Sequence, residues 1–73
     1  MRGKIIDKSQ NPLPNIKVTI IELGITTYTN EQGEYAFCSF VEGTYTVLFD
    51  DGKTQRLLQN LSMPKRVIYN MEW

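Results

Sequence analysis

Histidine is absent from this sequence of 73 residues, and cysteine occurs once, at Cys38. Imidazole is the commonest general base and a frequent metal ligand, so its absence argues against acid–base catalysis and against a histidine-bound metal. A single thiol can form neither an internal disulfide nor, without histidine, a zinc site. The sequence therefore predicts a domain without catalytic residues, without a metal and without a cofactor.

An excess of either charge and a long apolar run are also missing. Eight basic and eight acidic residues give a net charge of zero, so the basic footprint of a nucleic-acid-binding protein is not present. No apolar run approaches the roughly 18 residues of a membrane span, and we expect neither nucleic-acid binding nor membrane insertion. The sequence also has no secretory signal. This favours a virion or cytoplasmic location, or an extracellular one if the sequence is excised from a larger secreted protein.

The sequence does contain short β-branched and aromatic segments separated by turn residues. The stretch 29–45 is the most informative, because two aromatic segments follow each other there with a short glycine turn between them. Alternate residues of an extended chain point to the same face. We therefore predict a central hairpin in which these two segments pair and bury one face in the core. The residues predicted to be buried are Tyr35, Phe37, Tyr45 and Val47.

Seven extended segments cover most of the chain. They are predicted over residues 3–7, 16–23, 25–29, 34–40, 45–49, 53–59 and 65–73. Turns recur about every eight to twelve residues, which is the spacing of a β-sandwich. Asp51-Gly52 is the strongest hairpin turn, and Asn15 and Gly33 are expected to adopt positive φ.

Four separated pieces of the sequence resemble one known family. They are GxIxD from Gly3, PLPNIxVxI from Pro12, TNExGxYxF from Thr29 and EGTYxV from Glu42. This pattern is similar to the carboxypeptidase regulatory-like domain, which is related to collagen-adhesin B-type repeats and to transthyretin (prealbumin)-like proteins. The resemblance implies a non-catalytic attachment to peptidases, surface adhesins or outer-membrane receptors. Together with the strand pattern it predicts an all-β fold, a seven-stranded Greek-key β-sandwich (immunoglobulin-like or prealbumin-like), as one domain over residues 1–73.

Some apolar residues occupy alternate strand positions whose side chains should point to solvent. If Ile5, Val18 and Phe37 point inward, strict alternation turns Ile6, Leu48 and Ile68 outward, with Ile21 and Leu58 as less certain additions. A cluster of such residues on one sheet face would mark a partner-binding surface. Alternatively, bulges return some of them to the core. Trp73 has the same two interpretations, since it either caps the core or anchors a partner.

Two functions fit these features. In the first, the chain is a structural docking module that binds a larger assembly, such as an auxiliary (decoration) protein on the repeating lattice of a virus capsid, and it could form homo-oligomers. In the second, it is an accessory regulatory-like domain of a secreted or cell-surface protein, either an adhesin or an outer-membrane receptor. The start at Met1 and the absence of an export signal favour the first function. In both, the expected partner is a protein that contacts Ile6, Leu48, Ile68 and Trp73.

Overall fold

The computed structural model describes residues 1–38, 41–64 and 66–73, and these form seven β-strands and no helix. The strands are β1 (Arg2–Ile6), β2 (Lys17–Ile20), β3 (Ile25–Tyr28), β4 (Glu34–Ala36), β5 (Gly43–Asp50), β6 (Gln55–Met63) and β7 (Met71–Glu72). Each strand overlaps one of the seven segments identified by their β-branched and aromatic composition. The prediction of a seven-stranded all-β fold is therefore confirmed.

The strands form two sheets with the core between them. One sheet has three strands in the order β4-β1-β7, and the other has four in the order β3-β2-β5-β6. The paired strands are antiparallel except β1 and β7, which run parallel. This arrangement agrees with the predicted β-sandwich. The Greek-key connection and the single domain over residues 1–73 stay predictions.

Aromatic rings connect the two sheets through the core. Phe49 of β5 is fully buried, and its ring meets Tyr35 edge to face at 6.0 Å between centroids and stacks on Tyr69 at 6.2 Å. Tyr35 lies on β4, and Tyr69 lies in the segment that leads into β7. Phe49 therefore contacts the three-stranded sheet at both of its edge segments. The buried apolar residues are Met1, Ile5, Ile16, Val18, Ile20, Tyr35, Phe37, Val47, Phe49 and Met63.

The predicted central hairpin is wrong. β4 pairs with β1, with Tyr35 opposite Gly3, whereas β5 pairs with β2 and β6. The two aromatic strands therefore lie in different sheets and face each other across the core. Side chains alternate in the same way in both arrangements, so their spacing could not distinguish pairing from face-to-face packing. Tyr35, Phe37 and Val47 are buried as predicted, but Tyr45 is only half-buried.

Several predicted strands are shorter in the structure. The segment predicted over 16–23 is a strand only over Lys17–Ile20, and the segment predicted over 25–29 is a strand over Ile25–Tyr28. The segment predicted over 34–40 is a strand only to Ala36, and Ser39 and Phe40 lie outside the described residues. In the segment predicted over 65–73, Lys65 is also outside them. Among the described residues of this segment, only Met71–Glu72 form a strand, β7, which pairs with β1. Ile68 makes an isolated bridge to Arg2 of β1. The alternate residues of this last segment nevertheless pack against the core as predicted, namely Val67, Tyr69, Met71 and Trp73.

The predicted turn conformations are confirmed. Asn15 has a φ of 61° and Gly33 a φ of 75°. Gly33 is also crowded, because a β-carbon there would lie 2.5 Å from the carbonyl oxygen of Ile5. The Asp-Gly turn joins β5 and β6 in a hairpin in which Asp50 lies opposite Gln55.

Candidate protein-binding face

The structure does not place the predicted contact residues on one surface. Ile6 and Ile68 lie on the outer side of the three-stranded sheet, whereas Leu48 lies on the outer side of the four-stranded sheet. The single contact face expected from these three residues is therefore wrong. Strand parity distinguishes inward from outward, but it does not say which sheet a strand joins. Ile21 is exposed in the turn after β2, and Leu58 packs against the core.

The outer side of the three-stranded sheet is built from alternate residues of three segments, and we call it the three-stranded face. Its residues are Glu34 and Ala36 of β4, Arg2, Lys4 and Ile6 of β1, and Ile68, Asn70 and Glu72 of the C-terminal segment. Ile68 is 65% exposed, and Ile6 is half-buried. Charges of both signs surround these two apolar side chains.

The C-terminal segment is held against β1 by backbone hydrogen bonds. The amide of Arg2 donates to the carbonyl of Val67 at 3.0 Å, and the amide of Tyr69 donates to the carbonyl of Arg2 at 2.9 Å. A side-chain contact adds to these, because the Lys4 amide donates to Asn70 Oδ1 at 3.0 Å. The outward positions of Ile68 and Asn70 are therefore fixed by the main chain of β1.

Gly3 makes this close approach possible. A β-carbon at position 3 would lie 1.7 Å from the carbonyl oxygen of Tyr69, a distance that no side chain can tolerate. The same oxygen accepts a hydrogen bond from the Tyr35 hydroxyl at 2.6 Å. Burial of Tyr35 and the nearby Tyr69 raise the pKa of the Tyr35 hydroxyl, so it stays a donor. Gly3 and Tyr35 together position the segment that carries Ile68.

Two adjoining depressions lie on the three-stranded face. One has a volume of about 540 Å³, and its lining includes Ile68, Tyr28, Arg2 and Glu34. The other has a volume of about 520 Å³, and its lining includes Ile6, Gln10, Met71 and Glu72. Lys4 and Asn70 line both depressions. Tyr28 is 58% exposed, so the first depression holds two large exposed apolar side chains beside charged groups.

Trp73 lies away from the exposed centre of this face. It is half-buried, packs against the core, and donates its amide to the carbonyl of Ile6 at 2.7 Å. The guanidinium of Arg56 lies over its ring, 4.9 Å from the centroid. The structure therefore places Trp73 as a cap on the core, and its contact with a partner stays a prediction.

Several carboxylates accept hydrogen bonds from backbone amides, either within their own loop, as at Asp7, or from a neighbouring strand, as at Glu22. The backbone amide of Asn11 is the main cause that lowers the pKa of Asp7, and the backbone amide of Thr46 lowers that of Glu22.

Within the described residues, no three or more Asp, Glu, Cys or His side chains are grouped so as to hold a metal. In the same part of the chain, no helix is long and apolar enough to span a membrane.

Four residues of this surface were not predicted from the sequence, namely Tyr28, Arg2, Lys4 and Glu34. Arg2 and Lys4 share the parity of Ile6 on β1, so alternation alone could have found them. Glu34 and Tyr28 required knowledge that β4 pairs with β1 and that β3 lies beside β4, which no local pattern contains.

The comparison with protein families agrees with this fold. The sequence matches the CarboxypepD_reg-like domain over residues 1–62. The chain belongs to this family. The CarboxypepD_reg-like domain match covers β1 to β5 and all of β6 except Met63, so the predicted resemblance is confirmed. A comparison with curated proteins gives no match. Membership of this family supports a non-catalytic module.

Proposed function

We propose that the chain is a non-catalytic docking module that binds a protein partner through the three-stranded face. The observation that carries the proposal is the depression beside Ile68. Two exposed apolar side chains, Ile68 and Tyr28, line it together with Arg2 and Glu34. An apolar centre beside polar and charged groups is the usual anatomy of a protein–protein interface.

The size of the apolar centre sets the expected strength of the contact. Fully burying one large apolar side chain contributes about 1.5–3 kcal/mol, and association first has to overcome the loss of translational and rotational freedom. Ile68 and Tyr28 alone would give a modest affinity. Such a module works best where many copies bind together or where a covalent link holds it near its partner.

These two situations correspond to two biological settings. In the first, many copies decorate a repeating lattice such as a virus capsid. A net charge of zero supports this setting, because neighbouring copies do not repel each other at long range. In the alternative setting, the module is an accessory domain of a secreted or cell-surface protein, an adhesin or an outer-membrane receptor, and its partner is a neighbouring domain. Membership of the regulatory-like family supports this alternative.

Site-specific photo-crosslinking tests the proposal. A benzophenone amino acid replaces Ile68 in one variant and Ile21 in the other, since Ile21 is exposed in the turn after β2 and lines neither depression. Both variants are produced in the native source of the protein and irradiated. We expect one reproducible protein adduct from position 68 and none from position 21. A repeating shell protein as the adduct supports the lattice, and a neighbouring domain supports the accessory setting.

A pair of matched substitutions then measures the contribution of the face. Ile68 and Ile21 are 65% and 48% exposed, so Ile→Ser at either position should leave the fold intact. We expect Ile68→Ser to weaken binding of the crosslinked partner by about tenfold, equivalent to about 1.4 kcal/mol, and Ile21→Ser to leave it unchanged. Equal effects of the two substitutions would place the contact elsewhere.

A further inference from the structure

The edges of the two sheets differ in length. The three-stranded sheet ends at β4 and β7, of 3 and 2 residues, whereas the four-stranded sheet ends at β3, of 4 residues, and at β6, of 9. A short edge strand offers few backbone groups to another chain, but a long one is a template for strand addition. Among the described residues, β6 is therefore the edge best suited to pairing.

The first half of β6 has little of the charge that commonly protects an edge. Its one charged residue is Arg56, and the guanidinium lies over the ring of Trp73 in the same chain. The next residue, Leu57, is 50% exposed. Lysine or another charge at this position would oppose pairing, whereas leucine favours it.

The second half of β6 is less regular. The pairing with β5 shifts between Tyr45 and Val47, and Asn60 has a positive φ of 57°. A bulge twists an edge and interrupts the ladder that a partner strand would extend. The ladder to β5 is regular over residues 55–58, whereas Gln59 and Asn60 lie in the irregularity and have no partner in the register of the described strands. Leu57 lies within the regular part.

We propose that two copies of this chain pair through β6 as antiparallel strands, with the twofold axis beside Leu57. The two four-stranded sheets then form one continuous sheet of eight strands. Leu57 lies opposite Leu48 within one copy, so the dimer has an apolar row of Leu48 and Leu57 from the first copy followed by Leu57 and Leu48 from the second. This surface is separate from the three-stranded face, so the inference does not rest on the proposed function.

A second copy fits this edge because the segment is complementary to itself. The axis at Leu57 places leucine opposite leucine, and it leaves Arg56 opposite Leu58 rather than opposite its own copy. Like charges directly opposite each other across a ladder are destabilising, and this register avoids them. A twofold interface requires this kind of self-complementary surface.

The contact is small. A ladder of residues 56–58 with one leucine pair buries less than the roughly 800 Å² per partner of a standard stable interface. We therefore expect a weak dimer that forms as the protein concentration rises, with each copy keeping its three-stranded face exposed.

Cysteine crosslinking tests the axis directly. In a Cys38→Ser background, Leu57→Cys places two thiols directly opposite each other, where the Cα separation of an antiparallel pair, about 4.5–5.5 Å, suits a disulfide. Ser62→Cys is the matched control, because it is exposed on the same strand but lies beyond the bulge. Under mild oxidation we expect Leu57→Cys to form a covalent dimer at least about tenfold faster than Ser62→Cys.

Sedimentation equilibrium of the parent chain and of Leu57→Lys completes the test. The parent should show a concentration-dependent monomer–dimer equilibrium. Leu57→Lys should remain monomeric with an unchanged thermal melt, because the side chain is half exposed in the monomer; Leu57→Ser replaces it if the lysine variant unfolds. A parent that stays monomeric up to about 1 mM, or equal crosslinking at positions 57 and 62, would overturn the proposal. So would a dimer that Leu57→Lys leaves intact.

Discussion

Glycine 33 and glycine 24 illustrate two different demands on a single residue. Both have positive φ, 75° at Gly33 and 65° at Gly24. A β-carbon at position 24 would meet no atom within 4 Å, whereas at position 33 it would lie 2.5 Å from the oxygen of Ile5 and 3.1 Å from the nitrogen of Leu13. Position 24 needs only an unusual backbone angle. Position 33 needs that angle and also empty space.

Replacing each glycine by alanine separates the two demands. Gly24→Ala should cost about 1 kcal/mol of unfolding free energy, because a non-glycine residue is strained at positive φ. Gly33→Ala should cost at least about 1–2 kcal/mol more, because the hydrogen bond between β1 and the Gly33 carbonyl must also shift. Urea unfolding of the two variants and the parent measures both costs. Equal losses at the two positions would show that the crowding at position 33 relaxes freely.

Single residues also show what the sequence could predict. Alternation correctly placed Ile5, Val18 and Val47 in the core, because the direction of a side chain depends only on its neighbours along the strand. It could not place Ile6 and Leu48 relative to each other. Their relation depends on which sheet each strand joins, which is a property of pairings between distant parts of the chain.

Whole elements show the same contrast between features set by adjacent residues and features set by pairings of distant segments. The β5–β6 hairpin was predicted correctly because the Asp-Gly turn and its flanking strands are adjacent in sequence. The predicted hairpin of β4 and β5 was wrong because the two strands belong to different sheets. The parallel pairing of β1 with β7 joins Ile5 to Met71, and nothing in either local segment indicates it. Five of the eight residues of the three-stranded face, those of β4 and of the C-terminal segment, depend on such pairings.

The β5–β6 turn makes stability depend on pH. The amide of Gly52 donates to Asp50 at 2.7 Å, and the amide of Thr54 donates to Asp51 at 2.6 Å. These hydrogen bonds are the main causes that lower the pKa of both carboxyl groups.

We expect the thermal stability to fall in acid. A carboxyl whose pKa is lower in the folded state stabilises the fold above its unfolded pKa, about 3.9 for Asp, and this contribution is lost as the pH falls through the folded pKa. Melting temperatures measured from pH 6 to pH 2.5 should therefore decrease mainly below about pH 4. Asp51→Asn should reduce that decrease, since one titrating group is gone. A melting temperature that is constant over this range would contradict the assigned hydrogen bonds.

At the scale of the whole molecule, the family match and the folded unit have different extents. The match ends at residue 62, but the chain beyond it completes the three-stranded sheet and covers one side of the core. Tyr69 stacks on Phe49, Met71 pairs with Ile5, and Trp73 donates its amide to Ile6. We therefore expect the C-terminal segment to be a required part of the fold.

Ending the chain at Pro64 tests this expectation. The truncation removes Val67, Tyr69, Met71 and Trp73 from the core. Partial burial of four such side chains, at up to about 1.5–3 kcal/mol each, is comparable to the whole stability of a small domain, about 5–15 kcal/mol. The shortened chain should lose its cooperative melt and its near-ultraviolet circular dichroism. The full-length Ile68→Ser variant changes an exposed residue of the same segment and should melt like the parent. If the shortened chain instead melts cooperatively within a few degrees of the parent, the segment is an addition to a core that residues 1–64 already complete.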